Sequence, residues 1–337
     1  MKKSLLVLGA IAFQVISVAM IAGSKERVLA TGQEITLQTA PIDPRDIFRG
    51  DYVRLNYLFS QISARQLDDS ILDSGLRKGQ KVYLSLTTDS NGITQGNRLF
   101  TSPPADSLYL TGRVKLHWPY RNYVKNKRPE IAKKLNQPVH IKYGIEQYYV
   151  EQGKGLVMEE IRGNRNSFQV PMLIHAALSN KGDAVIASFD WANIAMKTEI
   201  INSPERNAPG DAASATIRFT LKNRSEQPIT LPWKPNGCSF TLEPVASAPV
   251  EPGSILFQQP GCDSVSASSK ILAPNEEVAL DYNLNLPQWQ VMYKEEKTPM
   301  GKLPWEYRFR IVYNSEDTND ANAMIISRAF HGSGNID

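Results

Sequence analysis

The chain has 337 residues, of which 42% are hydrophobic, with 38 Lys plus Arg against 34 Asp plus Glu. That length holds two ordinary cores, and a formal net charge of +4 is too mild to mark a nucleic-acid binder. The two cysteines have no histidine at ligand spacing, which argues against a zinc site; neither a metal nor a cofactor is expected.

The first element is legible at once. Lys2 and Lys3 precede residues 5–22, a run without charge in which only Gln14 and Ser17 are clearly polar. As a helix this run rises about 27 Å, close to the thickness of a hydrocarbon core. Residues 1–23 are therefore expected to be a transmembrane anchor or uncleaved signal, with the lysines holding the N-terminus in the cytoplasm. The alternative is cleavage after the small residues Ser17, Val18 and Ala19, which leaves a short apolar region. The expected location is the cytoplasmic membrane, single-pass, with the bulk of the chain extracytoplasmic. There Cys238 and Cys262 are expected to pair, adding about 3 kcal/mol through the unfolded state. The alternative is two buried thiols.

Residues 40–57 hold three aspartates, three arginines, two prolines and a glycine, and then become an alternating strand. Pro44 keeps Asp43 out of the helical region. Asp43 and Asp46 can each cap a backbone turn. Arg45 and Arg49 can fork onto those carboxylates, and Gly50 can take a positive φ before the strand starts at Asp51. Tyr52 then faces away from Val53, Leu55 and Tyr57. The run reads first as a rigid, self-paired corner and second as a ligand-facing surface.

Gly50, Asp51, Tyr52, Leu55 and Tyr57 closely resemble the signature of the GDYXXLXY family of membrane-anchored bacterial proteins. A second block, residues 143–155, is also similar to that family, with Tyr143, Glu146 and Glu151 in an aromatic and acidic strand. The likeness covers about residues 31–189. It implies a membrane-anchored, extracytoplasmic β-rich domain working with a membrane protein partner.

Residues 113–142 carry nine cations against the single acid Glu130, interleaved with Trp118, Tyr120 and Tyr123. Arg121, Lys125, Lys127, Arg128, Lys133 and Lys134 are the expected basic surface. The stretch reads as a solvated insertion with a short helix at 129–135. The alternative is contact with anionic lipid or a cell-wall polymer. The expected compartment argues against nucleic acid.

Elsewhere, period-two alternation dominates. It runs through residues 35–39, 53–57, 82–86 and 168–174, with turns at Asn91-Gly92 and at residues 180–183. Helical pattern is scarce beyond the anchor, residues 61–74 being the other candidate. A polar stretch at 202–212, rich in Pro and Gly, reads as a linker. After it, rows at 215–221, 278–284 and 307–313 belong to about seven strands. The expected fold class is all-β: the anchor, a β-rich domain at 24–201, and an immunoglobulin-like β-sandwich at 213–337.

These features point to a non-catalytic binding or assembly module of the bacterial envelope. No nucleophile elbow, zinc-protease helix or P-loop is present. His117, His140, His175 and His331 are scattered, and His175 reads as a satisfied core residue. The enzymatic alternative is a carboxylate-dependent envelope glycan hydrolase in which Asp43, Asp46, Asp51, Glu146 and Glu151 share a cleft.

Overall fold

The computed structural model describes residues 2–40, 52–63, 66–115, 138–164, 166–204, 214–245, 262–293, 296–305, 307–313 and 322–336. Its first element, α1 (Lys2–Thr31), leaves Leu8, Ile11, Phe13, Val15, Val18 and Ile21 all exposed. A helix of a water-soluble core buries one stripe, whereas this one is apolar all round. The span Val7–Thr31, 25 residues of hydropathy 2.0, makes α1 a candidate single-pass membrane helix.

The helix does not stop at residue 23. It continues through Lys25, Glu26 and Arg27, and only Gly32 separates it from β1 (Gln33–Gln38). The Gly32 N–H donates to the Val28 carbonyl at 2.8 Å. A Cβ at Gly32 would lie 2.6 Å from that carbonyl oxygen and 3.0 Å from the backbone nitrogen of Leu178. Only glycine lets the helix turn this closely onto the neighbouring strand.

That neighbour, β9 (Met172–Leu178), is the centre of an antiparallel sheet with β1 on one side and β10 (Ala184–Trp191) on the other. The β9–β10 hairpin turns at residues 179–183, as expected, with Gly182 at φ 76°. A five-stranded sheet follows the order β3 (Gln61–Ile62), β7 (Val139–Lys142), β6 (Tyr109–Lys115), β4 (Lys81–Thr88), β5 (Thr94–Phe100). The β4–β5 connection holds the expected Asn91-Gly92 turn. A short pair, β2 (Tyr52–Arg54) and β8 (Gln147–Tyr149), completes the strands of this half. Ile35, Leu37, Val53, Leu55, Leu84 and Met172 from these sheets lie in one buried core.

Two helices accompany the sheets. In α2 (Asp69–Ser74) the Asp68 carboxylate accepts the Ser70 N–H at 3.1 Å as an N-cap. It falls inside the stretch read as helical, but Gln61 and Ile62 are strand. The helix α3 (Lys154–Arg162) was not anticipated. Its flanking Gly153 and internal Gly155 are poor helix formers, and Leu156 and Val157 stay exposed rather than marking a buried stripe.

A second core starts at Ile194. β11 (Ile194–Asn202), β12 (Thr216–Asn223) and β16 (Glu277–Asn283) form one antiparallel sheet. β13 (Ile229–Trp233) pairs with β15 (Ser268–Leu272). β14 (Phe240–Pro244) pairs with β19 (Phe309–Tyr313), which continues into β20 (Phe330–His331) and β21 (Asn335–Ile336). The small hairpin β17 (Val291–Tyr293) and β18 (Glu296–Thr298) closes the list of strands. Ala215, Ile217, Phe219 and Leu221 are fully buried, as their alternation requires. The stretch read as a linker therefore joins two paired strands of one sheet: a polar Pro/Gly run marks a hairpin connection as well as a domain break. The change of core comes earlier, at Ala192 and Asn193.

The halves are knit together at that point. The Gln38 amide donates to the Met324 carbonyl at 2.8 Å and accepts the Met324 N–H at 2.6 Å. Gln169 and Met196 exchange both backbone hydrogen bonds. Ile93, Leu173, Ala192 and Ala323 form a small buried cluster of their own. Cys238 and Cys262 are joined in a disulfide across a sequence separation of 24.

Two outcomes follow from these contacts. Gly32→Ala should lower stability by about 1–3 kcal/mol through backbone overpacking, read by thermal unfolding of the full chain in detergent. Replacing Cys238 and Cys262 together by serine should cost about 3 kcal/mol. Reducing the native protein should cost a similar amount and leave the double variant unmoved.

Candidate functional site

The signature strand is packed from one side and tied from the other. Val53, Leu55 and Tyr57 are buried, while Tyr52 is half-buried and meets the exposed Tyr149 ring at 5.9 Å. Tyr57 stacks on Phe59 with centroids 5.2 Å apart, and its O–H donates to the Ile145 carbonyl at 2.8 Å. Tyr143 meets Phe59 edge-on and donates its O–H to the Phe59 carbonyl at 2.9 Å. The Leu55 N–H donates to the Glu146 carbonyl at 2.8 Å. The two blocks read as similar to one family are thus a single packed unit.

This unit accounts for the described carboxylates. Glu146 accepts the N–H groups of Tyr143 and Gly144, so it caps its own turn. Glu151 is exposed and paired with Lys154 at 2.7 Å, and that hydrogen bond holds its carboxyl below the usual range. The two acids do not share a partner. Among the described residues no group of three His, Cys, Asp or Glu is placed to hold a metal. Asp43, Asp46, Arg45, Arg49, Gly50 and Asp51 lie outside the described residues, as do Arg121, Lys125, Lys127, Arg128, Lys133, Lys134 and His117.

His175 is not a core residue. It sits on the wetter face of β9, with Nε2 3.0 Å from Asp190 and Nδ1 3.2 Å from the Thr36 hydroxyl. The period-two pattern of β9 ran apolar on both faces, which hid this. His331 is the buried histidine, with Nε2 3.0 Å from the Leu303 carbonyl and Nδ1 2.7 Å from the Ser333 hydroxyl.

One concave feature lies where the halves meet. Its wall includes Thr39, Arg162, Gln169, Met196, Thr198 and Arg328. It encloses about 350 Å³ counting its open mouth, with about 10 Å³ of room for the centre of a water-sized group. Arg162 is 5% exposed. Its Nη1 donates to the Arg54 carbonyl at 3.0 Å and to Glu159 Oε1 at 3.1 Å. Its Nη2 is buried without a hydrogen-bond partner among the described residues, and so is Glu159 Oε2. Burial pulls the Arg162 guanidinium below the usual arginine range against the opposing pull of Glu159; it remains charged at neutral pH. Arg328 is equally buried, and its backbone N–H donates to the Thr198 hydroxyl at 3.2 Å.

Neither arginine was singled out from the sequence. Arg328 carried a usable signal: it is the one charge in the apolar run 323–330, and a buried charge needs a reason. Arg162 carried none, because an arginine three residues after a glutamate on a helix is ordinary surface chemistry.

The site's tyrosines give a pH outcome with a definite sign. Burial, and then the Glu146 charge, push Tyr57 and Tyr143 above the ordinary phenol range. The unfolded chain releases these protons near pH 10, while the folded chain keeps them. Their stability contribution is therefore intact below that pH and declines as pH rises above it. Urea unfolding between pH 8 and 11 should show this decline, flattened in the Tyr57→Phe, Tyr143→Phe double variant. Tyr57→Phe alone should cost about 1–3 kcal/mol at neutral pH, because the Ile145 carbonyl loses its donor.

A model of the GDYXXLXY protein family matches residues 14–189, more than half of the chain, and the chain belongs to that family. No curated protein and no solved structure matches it.

Proposed function

We propose that this family member is a membrane-anchored, extracytoplasmic, non-catalytic binding or assembly module of the bacterial envelope, working beside a membrane protein. One observation carries the reading: α1 runs unbroken from its apolar span into β1 with only Gly32 between them. A retained anchor of this kind holds the folded body at a fixed place on the membrane, which suits assembly with a membrane partner. The residues Ser17, Val18 and Ala19 lie in the middle of that helix, which favours retention over cleavage.

Two further observations support the placement and the lack of chemistry. The Cys238–Cys262 disulfide suits an oxidising compartment outside the cytoplasm. Glu146 and Glu151 are each occupied locally. The second half, with its stacked antiparallel sheets and continuous apolar core, is read as an immunoglobulin-like interaction module.

Crosslinking in native membranes tests this. The full chain should capture a defined membrane protein. A variant with eight Gly/Ser residues inserted after Gly32 should reach the same membrane yet lose most of that product. Capture unaffected by the flexible insert, or recovery of the folded chain free of the membrane with residues 1–19 removed, would overturn the reading.

A further inference from the structure

We propose that the crevice between the two halves binds one carboxylate group, with Arg162 as its principal donor. The inference deepens the binding-module reading and rests on it. The carboxylate comes either from a protein partner, as an acidic side chain or a chain terminus, or from a small free acid.

The argument starts from Arg162. A guanidinium has five N–H donors in a planar fork that matches the two oxygens of a carboxylate. Here Nη1 is held by the Arg54 carbonyl and by Glu159, which fixes the plane of the fork. Nη2 is buried and has no acceptor among the described residues. An unmet buried donor on a charged group is costly, so an acceptor entering the crevice removes a standing penalty as well as adding an attraction.

The surroundings select the ligand. Arg328 brings a second positive charge to the same wall. The Thr39 hydroxyl accepts the Met172 N–H at 2.9 Å and the Thr198 hydroxyl accepts the Arg328 backbone N–H, so each keeps its own O–H proton to donate. Val170, Pro171, Met196 and Ile326 supply the rest of the lining and keep it apolar, which strengthens charge interactions. The room at the base amounts to about one water position. A carboxylate on a narrow stem is a small enough group to approach the guanidinium through the open mouth of this crevice of about 350 Å³.

The site also has a defined height. Thr39 follows directly on the end of β1 distal to the membrane helix, and six extended residues span about 20 Å. The site therefore lies at most about 20 Å along β1 from the junction at Gly32.

The full chain in nanodiscs provides the test, by thermal unfolding against sodium chloride at matched ionic strength. The probes are acetate, a pentapeptide with a free C-terminal carboxylate, and the same pentapeptide amidated. Saturable stabilisation by acetate alone identifies a free acid as the source; stabilisation by the peptide acid but not its amide identifies a presented carboxylate. Arg162→Lys, which keeps the charge and loses the fork, should weaken either at least tenfold. If that variant does not fold, Arg328→Lys on the intact Arg162 background should weaken binding several-fold. Shifts no larger than those with chloride, or undiminished in a folded variant, overturn the proposal. Membrane-partner crosslinking that survives such a result would leave the anchored-module reading standing, so the two failures are distinguishable.

Discussion

The strand β1 is the constraint on which the rest of the molecule depends. Its first residue takes the chain from α1 through Gly32, where no side chain fits. Its length pairs with β9 without a shift in register, from Gln33 opposite Leu178 to Gln38 opposite Leu173. Its last residue holds the second half through the two hydrogen bonds between Gln38 and Met324. Six residues thus join the candidate membrane helix α1, the first core and the second core. A loose tether at either end would let the halves move independently of α1, and the backbone contacts at Gly32 and Gln169 leave little freedom for that.

Buried polar groups show where this fold is finished and where it is open. Asn223 is fully buried, and all of its capacity is met: its amide donates to the Gln227 and Leu272 carbonyls, and its oxygen accepts from Ser225. Tyr57 and Tyr143 are met by backbone carbonyls in the same way. A satisfied network of this kind rigidifies a core and needs nothing further. Arg162 is the contrast, with one nitrogen held twice and the other unmet. Tyr282 Oη and Trp289 Nε1 are also buried without a partner among the described residues, but Arg162 lines the crevice, which is where we place the incoming group.

Much of the architecture was legible in the sequence because it depends on local rules. The apolar N-terminal run, the hairpin at residues 180–183 and the buried row from Ala215 to Leu221 each follow from a few adjacent residues. What was not legible depends on partners far away in the chain. The change of core at Ala192 and Asn193 carries no Pro/Gly signal, because the chain simply leaves one sheet for another. The helix α3 is held by tertiary contact rather than by its composition. Arg162 meets Arg54 across more than a hundred residues, and no spacing rule reports such a meeting. Glu146, one of the acids of the hydrolase alternative, serves the backbone three residues away, a role that composition does not show.

The signature itself has a physical reading that joins these threads. Its named positions Leu55 and Tyr57 fill the core, and the Tyr57 hydroxyl ties the strand to the second block at Ile145. Two of its unspecified positions, 54 and 56, work through the backbone. The Arg54 carbonyl accepts from Arg162 and fixes the guanidinium in the crevice wall. The Asn56 carbonyl accepts the Ala40 N–H at 2.8 Å, and Tyr57 bridges to Thr39, so both crevice residues at the end of β1 are braced by the same strand. Side chains at positions 54 and 56 are free to vary in such a scheme, since only their carbonyls are used. The strand therefore acts as a positioning device, with a core-filling face on one side and a row of backbone contacts to the crevice on the other. The described motif residues, Tyr52, Leu55 and Tyr57, are the aromatic and aliphatic side chains that this task requires.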